Sequence, residues 1–101
     1  MSTVINYDLR SPVKLNGERI EKVSLDFDSL TAADLIEIDN IFTRANESTT
    51  IDQALAVREY SKHYQILTAA RAAGLPFEFA DKVKGKDFVV LTVNAQNFFL
   101  G

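Results

Sequence analysis

Val13-Lys14-Leu15-Asn16-Gly17-Glu18-Arg19-Ile20 decides how this chain begins to fold. A two-residue type I′ turn needs φ > 0 at both central positions, and Asn-Gly meets that demand at the lowest cost. The flanking residues then pair, Leu15 with Glu18 and Val13 with Ile20. Carried outward, that register fails, because it sends Tyr7 and Leu9 to one face and Val23, Leu25 and Phe27 to the other. One extra residue near Glu21-Lys22 repairs the phase, pairing Leu9 with Leu25 and Tyr7 with Phe27. We therefore expect a β-bulge at Glu21-Lys22, opposite Ser11-Pro12, where the proline also removes a ladder donor. The apolar face so formed requires a helical mate, since little else in the chain reads as strand.

Thr31 starts the first helix, with Asp34 placed to complete a capping box. Leu35, Ile38, Phe42 and Ala45 recur at helical spacing, and Ile36 and Ile41 widen the stripe. Asn46-Glu47-Ser48-Thr49 reads as a loop. Thr50 and Gln53 offer a second box, opening a helix that runs to Ala73 and ends on Gly74, with Pro76 as a stop signal. A short helix from Pro76, carrying Phe77, Phe79 and Ala80, finishes near Gly85. The last segment admits two readings. Phe88-Val89-Val90-Leu91-Thr92-Val93 has the β-branched content of a buried strand. Phe88, Leu91, Ala95, Phe98 and Phe99 also fall in one helical stripe, with Val89, Val93 and Leu100 in a second, and the length of the run favours a helix. The expected fold is α+β: an N-terminal hairpin at about 4–27 packed on three to four helices at about 31–46, 50–73, 76–83 and 87–100. All of it forms one domain, 1–101.

Composition bounds the function. In 101 residues, 47% hydrophobic, seven Phe and three Tyr supply a core, so an unfolded chain is excluded. Fourteen acidic against 11 basic side chains give a net charge of −3, which argues against a dedicated nucleic-acid binder. Without cysteine there is no disulfide, thiolate–metal or thiol chemistry. The first residues carry no basic region followed by an apolar run, and no apolar stretch approaches the ~20 residues of a membrane span. A cytoplasmic protein that engages no membrane is therefore expected.

Catalytic constellations are weak. His63 is the sole histidine and lies within the second helix, where a surface or half-buried structural residue is the simpler reading. Asp26 and Asp28, flanking Phe27 in a strand, would share a solvated face and lack the spacing of a Ca²⁺ loop. Dispersed glycines form no phosphate-cradling loop. Lys82, Lys84 and Lys86 make a small basic patch, but Asp81 and Asp87 bracket it, and a solvated turn is the plainer reading. We expect no enzyme activity, no cofactor and no metal.

Several stretches together resemble the tail assembly chaperone family of Mu-like and P2-like contractile-tailed phages. They are Tyr7-Asp8-Leu9-Arg10-Ser11-Pro12, Asn16-Gly17-Glu18-Arg19-Ile20, Leu30-Thr31-Ala32-Ala33-Asp34-Leu35, Ala73-Gly74-Leu75-Pro76, Asp87, and Asn97-Phe98-Phe99-Leu100. The β-branched 88–93 run and the Thr-rich 48–50 loop depart from the pattern. The resemblance implies a phage or prophage factor, made in the host cytoplasm and absent from the mature virion. Its client would be the tape-measure protein, kept soluble during tail-tube assembly, with the tail-tube protein as a further partner. A longer product made by ribosomal frameshifting is known in many such phages. The competing classes are a structural tail or baseplate component and a small bacterial adaptor with the same hairpin–helix order. For the client surface we single out Phe98, Phe99 and Leu100, with Val89 and Val93 as the second stripe. The surplus apolar surface on the helices also leads us to expect a homo-oligomer.

Overall fold

Asn16 and Gly17 take φ of 49° and 84° and close the turn between β1 (Ile5–Leu15) and β2 (Glu18–Leu25). These and all following elements come from a computed structural model, which describes residues 4–45 and 61–100. Val13 faces Ile20 and Leu15 faces Glu18, as the turn dictates. Beyond that point the register differs from the expected one. Tyr7 pairs with Val23 and Ile5 with Leu25, so residues 9–12 of β1 stand opposite Glu21 alone. The extra residues belong to β1, not to Glu21-Lys22 of β2. The odd offset lets Val13 face Ile20 and Tyr7 face Val23 at once, and β1 absorbs it. β1 does so because Pro12 has no N–H to lose there and because two freed N–H groups find a partner elsewhere.

That partner is Asp87. The backbone N–H groups of Arg10 and Ser11 donate to its two carboxylate oxygens at 2.9 Å each, and the Tyr7 hydroxyl donates at 2.7 Å. Asp87 is 1% exposed. Burial alone would raise its pKa, but the N–H groups of Arg10 and Ser11 and the Tyr7 hydroxyl favour the anion and hold the carboxyl below its ordinary value. The same bond raises the Tyr7 phenol, with burial adding to the effect.

Strand β2 ends at Leu25, earlier than expected. Phe27 lies in a 3₁₀ turn, Phe27–Ser29, instead of pairing with Tyr7, and Asp26 and Asp28 consequently do not share a strand face. Four helices follow among the described residues: α1 (Ala32–Ala45), α2 (Lys62–Ala72), α3 (Glu78–Lys82) and α4 (Gly85–Leu100). The capping box of α1 forms as read. Asp34 N–H donates to Thr31 Oγ1 at 3.1 Å and Thr31 N–H to Asp34 Oδ2 at 2.9 Å. The free Asp34 oxygen accepts from Arg71 at 2.7 and 2.9 Å, fastening α1 to α2. The Thr31 N–H and the guanidinium together lower the Asp34 pKa.

Helix α2 does not extend unbroken from 50 to 73. Ser61 is extended, at φ −75° and ψ 125°, and its hydroxyl accepts from the Tyr64 N–H, which makes it the N-cap. Serine competes for backbone donors at this position and so starts a helix more readily than it continues one. The Thr50–Gln53 box lies outside the described residues. At the other end Gly74, at φ 70°, forms a Schellman motif in which Leu75 N–H reaches the Ala70 carbonyl at 3.0 Å. The Asp26 N–H reaches the Ala72 carbonyl at 3.0 Å, joining the end of β2 to the end of α2. Helix α2 lies at the centre, against α1, α3, α4, β2 and the 3₁₀ turn. Residues 64–70 are all buried, and Ala69, Ala70 and Ala72 let neighbouring helices approach closely. The short α3 covers less than the expected 76–83: it starts two residues later, with Phe77 as its N-cap, and stops at Lys82 because Val83 is extended. The segment 88–93, open between helix and strand in the sequence, is helical.

Replacing Asp87 by Ala leaves two inward N–H groups and the Tyr7 hydroxyl without their acceptor, a loss of about 3–5 kcal/mol. Asp87→Asn, which keeps the shape but points an amide donor at a backbone donor, should lose about 2–4 kcal/mol. Because the folded carboxyl titrates below its unfolded value of ~3.9, its contribution is complete above that pH and disappears as the pH falls through the folded value. Urea titrations should therefore show wild type and Asp87→Asn converging below about pH 4. Equal separation of the two curves at pH 7 and pH 2.5 would contradict this.

Candidate functional site

Helix α4 carries no charged residue from 88 to 100, and its apolar side chains divide between two faces. At ~100° per residue, Leu91, Ala95, Phe88, Phe98, Phe99 and Thr92 lie on one side. Leu91, Thr92 and Ala95 are fully buried there. Val89, Val93 and Leu100 fall within about 40° of one another on the opposite side. They are 47%, 44% and 48% exposed, against 0% for Leu91.

The five residues singled out from the sequence therefore occupy two environments. Val89, Val93 and Leu100 form an exposed apolar strip. Phe98 and Phe99 are partly buried and belong to a chain of ring contacts crossing the core. Phe27 stacks on Phe98 at 5.2 Å and 17°, Phe98 touches Phe99 at 5.1 Å, and Phe99 touches Tyr64 at 5.4 Å. Tyr64 meets Phe42 edge-on at 5.5 Å, and Phe42 meets His63 at 5.6 Å. The rings join the end of the hairpin, α4, α2 and α1 in one line. His63 sits half-buried at its far end.

One edge of Phe98 does reach the surface. With Ile5, Phe27, Asp28, Asn94 and Asn97 it lines a shallow groove of about 310 Å³ beside α4. Asn97 continues from this groove toward Val93 on the helical projection. The groove, with Asp28 on its far wall, and the strip thus adjoin along one side of α4, whose axis is fixed by Asp87 at its first turn. Ile36 of α1, 61% exposed, is a further bare apolar side chain, whereas Ile41 packs on the core. The role of Asp87 as the anchor for this helix was not readable in the sequence, where it looked like one more charge beside three lysines. Its only local sign is its place in the first turn, where the helix dipole favours an anion.

Among the described residues, no cluster of His, Asp or Glu could hold a metal ion, and no helix is long and apolar enough to cross a membrane. No protein-family model matches the chain, and neither the curated proteins nor the solved structures compared with it give a match.

The two environments should separate under mutation. Phe98→Ala removes a ring stacked on Phe27 and is expected to cost about 2–3 kcal/mol in denaturant unfolding. Val93→Asp, at an exposed helical position, should stay within about 1 kcal/mol of wild type. Comparable losses in the two variants would mean that Val93 is covered in solution.

Proposed function

We propose that this protein is a non-catalytic phage or prophage tail assembly chaperone that keeps the tape-measure protein soluble while the tail tube assembles. One observation carries the reading: a helix without charge from 88 to 100, docked by its inner face, leaves Val89, Val93 and Leu100 bare on its outer face. Such a strip is suited to an apolar helical stripe on a client, by side-by-side helix contact. Its small size fits a transient cover better than a permanent interface. The family resemblance supplies the identity of the client. In this reading Tyr7, Arg10, Ser11 and Asp87, which lie in the stretches that carry the resemblance, position the client-binding helix α4 without touching the client.

The chaperone works in the host cytoplasm, does not enter the mature virion, and contacts the tail-tube protein as a secondary partner. Without client, the same strip associates with itself, giving a homo-oligomer. The test is co-expression with the tape-measure protein and affinity capture on this chain. Soluble tape-measure protein should appear only when this chain is present, and Val93→Asp should abolish capture without unfolding. Finding the chain as a stoichiometric component of purified tails would instead make it a structural tail or baseplate protein. A tape-measure protein indifferent to it would leave the bacterial adaptor reading.

A further inference from the structure

Lys14 and Arg19 are direct cross-strand partners on the exposed face of the hairpin, an arrangement that repulsion disfavours. Lys82 adds a third cation, its ammonium donating to the Lys14 carbonyl at 3.3 Å. Lys84 is the fourth. With Pro12, Val13, Lys14, Asp81, Lys82 and Val83 it lines a hollow of about 420 Å³. A second hollow of about 490 Å³, lined by Pro12, Lys14, Gly17 and Arg19, adjoins it through the shared Pro12 and Lys14. Four of the chain's 11 basic side chains thus meet at one trough, in a protein whose acidic residues outnumber its basic ones.

Asp81 shares the first hollow with Lys14, Lys82 and Lys84, and beyond it little within the chain neutralises them. Arg19 pairs with Glu21 at 3.2 Å, but both side chains are more than 60% exposed, so the pair contributes little. Among the described residues, Lys14, Lys82 and Lys84 have no carboxylate within salt-bridge distance. Asp87, which follows the lysines in the sequence, does not offset them, because its carboxylate is turned inward onto Tyr7, Arg10 and Ser11. Of the two acids that bracket the lysines in sequence, only Asp81 remains beside them in space.

We propose that this trough receives an acidic stretch of a partner polypeptide. Its carboxylates would lie against Lys14, Arg19, Lys82 and Lys84, and its apolar groups against Pro12 and Val83. A polypeptide fits better than a nucleic acid on two counts. No aromatic side chain lines either hollow to stack a base. The two hollows accommodate a few side chains and not a long backbone. This surface is separate from the apolar strip on α4 and does not depend on the chaperone reading.

The experiment is an NMR titration of the full ¹⁵N-labelled chain with a six-residue oligoglutamate peptide, with hexathymidylate and hexalysine as comparators. Oligoglutamate should shift amides at 13–19 and 81–85, with affinity falling about tenfold or more between low and moderate salt. Lys14→Glu/Lys82→Glu should weaken binding at least tenfold. The charge-matched control Lys22→Glu/Lys62→Glu, outside the trough, should change it less than about twofold. Absence of shifts at the trough, or equal weakening in both double variants, overturns the proposal. Tighter binding of hexathymidylate than of oligoglutamate also overturns it and makes a phosphate polymer the occupant.

Discussion

The carboxylate of Asp87 lies in the first turn of α4 and accepts three hydrogen bonds from β1, so one side chain joins residues about 80 positions apart. Removing this acceptor would leave two inward-pointing backbone N–H groups without a partner in a part-buried setting, and such groups are seldom left unpaired. The hairpin must therefore keep its irregularity at 9–12, and α4 must enter the fold at this point. The orientation of α4 follows, and with it which residues reach the core and which stay bare. A buried anion is a costly way to join two elements unless fully satisfied, and here the donors are fixed backbone groups that need little reordering.

What could be read from the sequence was the local chemistry. Asn16-Gly17, the Thr31–Asp34 box and Gly74 each act through backbone preferences within a few residues, and each appears where its chemistry places it. The need for an odd register offset was also legible, because alternation of apolar residues along a strand is a local property. Which strand would absorb the offset was not, since it depends on Asp87, far away in the chain. The start of α2 at Ser61 was missed because a serine inside a run of helical spacing gives no sign, by residue type alone, that it caps a helix instead of continuing one. Phe27 was placed in the strand by alternation, but the ring instead stacks on Phe98, a contact invisible to a pattern of period two. Of the site residues, helical spacing separated the Val89–Val93–Leu100 stripe from the aromatic one. Their very different exposures emerge only once α4 is docked.

Helix α2 explains why so small a chain can leave apolar surface bare. Each of the other three described helices touches it, and its run of alanines lets them come close, so the core is built around one helix rather than between two layers. Gln65, Thr68 and Thr92 are buried along with the apolar side chains. Thr68 and Thr92 turn their hydroxyls back onto carbonyls of their own helices, at 2.8 and 3.0 Å. Gln65 reaches from α2 to Gln96 of α4 at 3.2 Å, a polar pin between the two helices that packing alone would let slide. With the inner face of α4 so constrained, its outer face is free of any structural duty.

A two-stranded hairpin has two open edges, each a row of backbone groups able to recruit a strand from another molecule. In β1 the kink at 9–12 breaks that row in its middle. Pro12 offers no donor, and the N–H groups of Arg10 and Ser11 point inward to a carboxylate and are unavailable to a neighbour. Charged side chains at Asp8, Arg10 and Lys14 flank the break on the solvent side. The contact that secures the hairpin to the helices thereby also protects it from strand-by-strand polymerisation. Molecules of this kind can then crowd together without becoming fibres.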